Sequence, residues 1–127
     1  MVKSRPTIAV VDDDEDIRKS LRRLLRSAGF EAIAFASAED YLASMSEITV
    51  ACLILDVRLP GQSGIALYQR LTRDQYHIPV VFMSAHDNEL TNARSDAANA
   101  VAYLRKPFDA EELLDAVQKA LGNCETL

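Results

Sequence analysis

Polar side chains suited to one chemistry follow four short apolar runs in this chain. Asp12 and Asp13 follow the first run, and Asp56 ends the second. Ser84 and Lys106 stand at the ends of the third and fourth runs. Continuous apolar runs with polar ends are typical of strands buried on both faces of a parallel sheet, and such sheets bind ligands at the carboxyl ends of their strands. Three carboxylates, one hydroxyl and one ammonium gathered there could bind a divalent cation and accept a phosphoryl group.

The three carboxylates predict a magnesium site. Mg²⁺ prefers oxygen ligands and is usually held by one or two carboxylates together with waters and phosphate oxygens. Asp12, Asp13 and Asp56 can supply such ligands, and a bound cation would relieve their mutual repulsion. Asp56 is the candidate nucleophile, because a carboxylate that attacks phosphorus forms an aspartyl phosphate. Lys106 and the Ser84 hydroxyl would each pair with one oxygen of the transferred group, and the metal would hold a third.

Each of these residues has an ordinary explanation when it is taken alone. An Asp or Ser at the end of a strand is usually a helix cap or a turn residue, and a Lys before Pro is usually solvated. The prediction therefore depends on the ordered set and its spacing. That spacing leaves two strand–helix units between Asp13 and Asp56 and one unit in each later interval.

Strand and helix patterns alternate five times, which predicts an α/β fold with a parallel sheet and helices on both faces. The second and fifth strand patterns are the least apolar and are the natural edges, which fits a doubly wound (βα)5 sheet of order 2-1-3-4-5. The predicted strands are Thr7–Asp12, Glu31–Phe35, Ala51–Asp56, Pro79–Ser84 and Val101–Arg105. The predicted helices are Glu15–Ala28, Ala38–Met45, Gly64–Arg73, Glu89–Asn99 and Ala110–Leu121.

The fourth predicted helix differs from the others in its apolar content. Its only large apolar residue is Leu90, accompanied by the small residues Ala93, Ala97 and Ala98. Two interpretations stay open: a small-residue helix packed tightly on the sheet, or a weakly anchored element that can shift.

The bulk properties favour a single cytoplasmic domain. The 127 residues fit one domain, with a core of about residues 6–121 and residues 122–127 as a natural end or the start of a linker. A net charge of -5 argues against nucleic-acid binding as the main function. Cys52 and Cys124 are expected to be reduced thiols rather than a disulfide framework. With no visible signal peptide or membrane-spanning stretch, we expect no membrane association.

The ordered motifs resemble the receiver domain of bacterial two-component response regulators, the CheY-like or flavodoxin-like fold, over about residues 6–121. The finer pattern, including Arg18-Lys19-Ser20-Leu21, is closest to the FixJ-type subgroup. The motifs that carry the resemblance are Val11-Asp12-Asp13, Leu55-Asp56-Val57-Arg58-Leu59-Pro60-Gly61, Met83-Ser84-Ala85-His86 and Lys106-Pro107-Phe108.

The resemblance implies a role for each site residue. Asp56 would take the phosphoryl group from a phosphohistidine of a sensor histidine kinase, with Mg²⁺ or Mn²⁺ bound. Asp13 would be the main direct metal ligand, Asp12 would act largely through water, and Arg58 would contribute its backbone carbonyl. Lys106 would pair with the transferred group, and its bond to the following proline would be cis.

The same resemblance implies a conformational switch. Ser84 would follow the phosphoryl group inward and Tyr103 would turn in with it, although a strand Tyr taken alone is most often a packing residue. His86 and the Arg58 side chain would occupy two rim positions that tune the phosphoryl lifetime; otherwise they are plain surface residues. The family usually has glycine before the fifth strand, where this chain has Asn99, a residue that tolerates the left-handed conformation.

The implied function is a phosphorylation-activated switch that controls an output, expected to be transcription, rather than an enzyme beyond its own phosphotransfer and slow autodephosphorylation. The signal would leave through the fourth helix, fifth strand and fifth helix, to a homodimer or a partner domain. DNA would be contacted only through a C-terminal output domain absent from this chain. Alternatives are a stand-alone CheY-like module or a phosphorylation-independent interaction domain. The basic first helix is either a solvated face or a surface for the kinase.

Two other classes of protein fit less well. A phosphatase of the haloacid dehalogenase type requires a second Asp two residues after the nucleophile, where this chain has Arg58. A flavodoxin-like cofactor binder needs a neutral or Gly/Ser/Thr-rich first loop to hold phosphate. The acidic run from Asp12 to Asp16 would repel it.

Overall fold

The computed structural model describes residues 5–122 as a five-stranded parallel sheet of order 2-1-3-4-5, which confirms the predicted fold. Residues 123–127, with Cys124 and most of the predicted tail, lie outside the described residues. The strands are β1 (Thr7–Val11), β2 (Glu31–Phe35), β3 (Cys52–Asp56), β4 (Val80–Ser84) and β5 (Ala102–Arg105). The helices are α1 (Glu15–Ser27), α2 (Ala38–Ser44), α3 (Gly64–Arg73), α4 (Asp87–Asp96) and α5 (Ala110–Gly122).

Alternating side chains of the central strands fill two apolar layers. On one face, Ile8 and Val10 of β1 pack with Leu25 of α1 and Val117 of α5. On the other face, the intervening β1 residues pack beneath helices α2, α3 and α4, where Leu67 is fully buried. The apolar runs of β3 and β4 are buried along their whole length because helices cover both faces. This double cover leaves only the strand ends for polar chemistry.

The structure corrects the predicted bounds of α4, which were Glu89–Asn99. The helix begins at Asp87 because His86 takes the extended N-cap conformation and its carbonyl oxygen accepts the N–H of Leu90. It ends at Asp96 because Ala97 leaves the helical conformation, with φ -141° and ψ 60°.

The turn before β5 does not use the left-handed conformation that Asn99 tolerates. Among the residues that the structure describes, positive φ values occur at Gly29, Gly61 and Gln75, so Asn99 does not adopt the left-handed conformation. The turn is made after Ala97 instead, where the chain leaves the helical conformation. A three-residue 3₁₀ helix, Met45–Glu47, follows α2 and was not predicted, because so short a segment carries no periodicity.

Small residues hold α4 on the sheet. Leu90 and Ala93 are buried, and Ala97 just after the helix is buried as well. The small-residue packing proposed from the sequence is therefore present, while Leu90 remains the only large side chain that the helix buries. A helix that buries so little apolar area depends more than its neighbours on polar contacts for its position.

Cys52 is free and fully buried within β3, and burial raises the pKa of its thiol to about 12. A thiol with so high a pKa is not ionised at neutral pH, so Cys52 acts as a small core residue. Within residues 5–122, none of the helices is long and apolar enough to cross a membrane.

Gly64 brings the start of α3 against the backbone of Asp56. Its N–H donates to the carbonyl oxygen of Val57 at 2.9 Å. A Cβ at position 64 would lie 2.1 Å from the backbone oxygen of Asp56, which is closer than any ordinary contact. Glycine is therefore required here for close approach, and the loop after Asp56 is fixed by this contact.

We expect Gly64→Ala to lower the free energy of unfolding by about 1–3 kcal/mol, because the added methyl group must displace the β3 backbone. Urea unfolding followed by circular dichroism measures the change. Gly122→Ala is the matched control, because a Cβ there meets nothing within 4 Å. An equal effect of the two substitutions would show that the close approach at Gly64 does not constrain the fold.

Candidate functional site

The carboxyl edge of the sheet gathers the polar residues predicted from the sequence. The buried polar or charged residues of the described chain are Asp12, Asp56 and Ser84, and each stands at the end of a central strand. Lys106 follows β5, where its backbone N–H donates to the carbonyl oxygen of Ser84 at 2.8 Å. Burying polar groups is unfavourable unless they are paired, so their collection at one edge makes this edge the candidate functional site.

Three carboxylates form a cluster that could hold a metal ion. Oxygen atoms of Asp12, Asp13 and Asp56 all lie within 4.8 Å of one another. Asp13 is exposed at the mouth of the site, whereas the other two are buried. An all-oxygen donor set of this kind suits a hard divalent cation, so the residues present fit a metal site. The predicted carbonyl ligand from Arg58 stays a prediction; its backbone N–H donates to Asp56 Oδ1 at 3.3 Å.

Lys106 joins the two buried carboxylates. Its Nζ donates to Asp12 Oδ2 at 2.8 Å and to Asp56 Oδ2 at 3.2 Å. Burial lowers the pKa of Lys106, but the hydrogen bonds and charges of the two aspartates outweigh it and raise that pKa overall. The ammonium is therefore held in its charged form between the carboxylates.

The surroundings of Asp56 disfavour the ionised form of its carboxyl group. Burial and the charge of Asp12 raise the pKa of Asp56 to about 6, although Lys106 acts in the opposite direction. A carboxylate in this environment benefits from any further positive charge, which a metal ion at the cluster would supply.

Glu89, which sequence reasoning did not place in the site, contacts Ser84. The Ser84 hydroxyl donates to Glu89 Oε1 at 2.5 Å. The other carboxylate oxygen of Glu89 accepts from Nε of Arg58 at 2.7 Å. Burial raises the pKa of Glu89, but these hydrogen bonds and the charge of Arg58 outweigh it and lower that pKa.

A signal for Glu89 exists in the sequence. A Glu in the first turn of a helix that directly follows a strand lies close to the carboxyl end of that strand. Because α4 was predicted to begin at Glu89 rather than at Asp87, this residue was expected at the first helical position and not in the site.

Two predicted rim residues line a small cavity beside the acceptor. The side chain of Arg58 is 70% exposed and is paired with Glu89, while His86 is exposed and forms the N-cap of α4. The cavity has a volume of about 130 Å³, and Asp56 is one of the residues that line it. Its lining residues are Asp13, Asp56, Arg58, Ala85, His86, Glu89 and Lys106.

Tyr103 contacts the end of α4. Its hydroxyl donates to the carbonyl oxygen of Ala97 at 2.5 Å. Its ring stacks on Phe82 with centroids 5.9 Å apart, and the guanidinium of Arg94 lies 5.4 Å from the ring centre. The described contacts of Tyr103 do not include Ser84, so its switch role stays a prediction.

Two further expectations from the sequence concern the Lys106–Pro107 bond and the basic residues of α1. The Lys106–Pro107 peptide bond is cis, as the resemblance implied. On α1, Arg18 donates to the backbone oxygen of Asp12 at 2.8 Å, so this arginine supports the site. The other basic side chains of α1 line a surface groove: Lys19, Arg22, Arg23 and Arg26.

Comparison with known proteins identifies clear relatives. A family model described as the response regulator receiver domain matches residues 8–118. The chain is 43% identical over 117 residues to Nodulation protein W of Bradyrhizobium diazoefficiens, covering 92% of this chain and 52% of that protein. It is 34% identical over 118 residues to the transcriptional regulatory protein FixJ of the same organism, covering 93% and 58%. These matches confirm the predicted resemblance, including its FixJ-type character.

A solved structure agrees with these relatives. The response regulator StyR superimposes with a TM-score of 0.85 at 44% identity, covering 96% of this chain and 62% of that chain. The chain spans about half the length of the curated relatives that it matches.

In the absence of metal, the raised pKa of Asp56 makes the free energy of unfolding depend on pH. Its folded-state pKa of about 6 lies above the ordinary 3.8, so its contribution to stability is complete below about pH 4 and is lost as the pH rises through about 6. We expect Asp56→Asn to raise the free energy of unfolding at pH 7 by on the order of 2 kcal/mol and to change it little at pH 4. Urea unfolding at both pH values measures the difference.

Asp115→Asn, which changes an exposed carboxylate on α5, is the control for that comparison. If both substitutions give the same pH profile, the carboxylate of Asp56 is not disfavoured by its surroundings.

Proposed function

This chain belongs to the response regulator receiver domain family, and we propose that phosphorylation of Asp56 activates it as a two-component switch. One observation carries the proposal. Asp56 is 6% exposed, and its carboxylate is hydrogen-bonded by Lys106 and lies within the acidic cluster at the carboxyl edge of the sheet. A buried carboxylate beside a cation and a metal-binding cluster is equipped to attack phosphorus and to bear the charge that follows.

Each residue of the site has its own role in the proposed phosphoryl transfer. The Asp56 oxygen that attacks forms an O–P bond as the N–P bond of the donor phosphohistidine breaks. Lys106 neutralises one oxygen of the transferred group, and the Ser84 hydroxyl is the donor to another. Asp13 and Asp56 would hold Mg²⁺ or Mn²⁺ directly, with Asp12 acting largely through water. The bound cation would supply further neutralisation of the phosphoryl charge.

The residue at position 58 supports a switch rather than a turnover enzyme. A haloacid-dehalogenase-type phosphatase needs a second acid two residues after the nucleophile, but Arg58 stands there and is paired with Glu89. We therefore propose that the chain performs only its own phosphotransfer and a slow autodephosphorylation. Phosphorylation shifts a pre-existing equilibrium between two conformations.

The partners follow from this chemistry and from the relatives. A sensor histidine kinase is the proposed phosphodonor, with the basic residues of α1 beside the site as a surface for it. Relatives named as transcriptional regulators, such as TdiR of Thauera aromatica, are about twice as long as the matched region. We propose a transcriptional output in the cytoplasm, with DNA contacted only through a C-terminal output domain.

Phosphorylation of the full chain tests the proposal directly. We expect incubation with acetyl phosphate and Mg²⁺ to add the mass of one phosphoryl group, labile to base, as measured by intact mass spectrometry. Asp56→Asn is expected to show no gain, because the acceptor oxygen is lost. Wild-type chain that binds Mg²⁺ but gains no mass would contradict the proposal and favour a phosphorylation-independent interaction module.

Phosphorylation is also expected to stabilise a homodimer through the face formed by α4, β5 and α5. Exposed charges such as Arg105, paired with Asp87 at 2.8 Å, link α4 to β5 on this face. The molecular mass from light scattering and the amide hydrogen exchange are compared with and without beryllofluoride, an analogue of the phosphoryl group. Asp56→Asn is the control. Unchanged mass together with unchanged exchange on this face would exclude both a dimer and a conformational output there.

A further inference from the structure

We propose that Glu89 is a positioning residue that restrains the switch, because it holds the Ser84 hydroxyl in a hydrogen bond that the phosphoryl group on Asp56 must displace. The inference rests on the proposed function of Asp56 and adds a residue that opposes activation. It is carried by three sets of contacts: those of Ser84, those of Arg58 and those of the α4 N-terminus.

Glu89 and a phosphoryl group on Asp56 would compete for the single hydroxyl proton of Ser84. A serine hydroxyl has one O–H donor, and for Ser84 the nearest acceptor is Glu89 Oε1 at 2.5 Å, while the carbonyl oxygen of His86 is farther away at 3.4 Å. Ser84 is fully buried, so water does not compete for this bond. Hydrogen bonds to an ionised acceptor are roughly twice as strong as neutral ones. Ser84 therefore cannot donate to a phosphoryl oxygen until it leaves Glu89.

Arg58 fixes the carboxylate that accepts this proton. Both Nε and Nη2 of Arg58 lie within 2.7 Å of Glu89 Oε2, which leaves Oε1 directed at Ser84. Arg58 lies in the loop that directly follows β3, so the contacts among Ser84, Glu89 and Arg58, which we call the latch, join the loop after Asp56 to α4. Glu89 also lines the cavity of about 130 Å³ beside Asp56, which places its charge beside the transferred group.

The same hydroxyl supports the start of α4. The backbone N–H of His86, the N-cap residue, donates to Ser84 Oγ at 3.1 Å. A Glu at the third helical position commonly reaches back to the N-cap N–H itself. Here the Ser84 hydroxyl lies between the two groups and serves as a relay. Rotation of Ser84 toward a phosphoryl group would break both bonds and release the first turn of α4.

A simpler role for Glu89 is to stabilise α4, because a negative charge in the first turn interacts favourably with the positive end of the helix dipole. Asp87 occupies the same helical turn and has that role without the site contacts, because its partner is Arg105. The two residues therefore form a matched pair: each is an acidic side chain of the first turn paired with an arginine, but only Glu89 binds Ser84.

The test measures the affinity of the full chain, in the presence of Mg²⁺, for beryllofluoride, an analogue of the phosphoryl group. Amide NMR resonances report the binding. We expect Glu89→Ala to tighten binding about 10-fold, because the competing acceptor is gone. Glu89→Gln, which keeps a neutral acceptor, should give a smaller gain, and Asp87→Ala should stay within about two-fold of wild type. Without metal or analogue, the α4 resonances of Glu89→Ala should move toward their analogue-bound positions.

A double-mutant cycle separates the latch from simple charge repulsion. In a Ser84→Ala background, Glu89→Ala should change the affinity less than about two-fold, because the shared hydroxyl is absent. A gain that persists undiminished there, or Glu89→Ala binding like Asp87→Ala, would overturn the inference. Wild-type chain that neither binds the analogue nor gains a phosphoryl group would overturn the proposed function itself, and with it the latch.

Discussion

The pairing of Lys106 with Asp12 and Asp56 is the interaction on which the rest of the structure depends. Two buried carboxylates repel each other, and their burial is unfavourable without a partner charge. That charge comes from a residue 94 positions away from Asp12. It arrives only if β5 pairs with β4 in a register that sets Ser84 opposite Arg105. The strand order and the electrostatics of the site are therefore one constraint rather than two.

The fold and the five central site residues could be predicted because their signals are local. A strand buried on both faces is continuously apolar, and the polar residue that ends it marks the edge where such sheets bind ligands. The contact between Glu89 and Ser84 was missed, since it depends on α4 beginning at Asp87 rather than at Glu89. The predicted bounds of that helix were also wrong, because Leu90 alone gives α4 little periodicity.

Polar contacts fix α4 where apolar burial is scarce. At its start, Ser84 joins the N-cap N–H to Glu89, and at its end the Tyr103 hydroxyl binds the carbonyl oxygen of Ala97. Hydrogen bonds break and re-form over smaller displacements than packed side chains do, so an element held this way can have two arrangements of similar free energy. The low apolar content of α4 and its polar ends thus agree with the proposed response of this helix to the Ser84 hydroxyl.

The acceptor lies between two partners that face opposite sides of the sheet. Lys106 stands beside α1, which carries the basic residues of the proposed kinase surface, and Arg18 of that helix binds the backbone of Asp12. Ser84 stands on the side of α4, the proposed output. Because Asp56 contacts Lys106 and lies one strand away from Ser84, a phosphoryl group there would draw on both neighbours at once. Charge neutralisation on one side and loss of a hydrogen bond on the other would then connect input to output without a long relay.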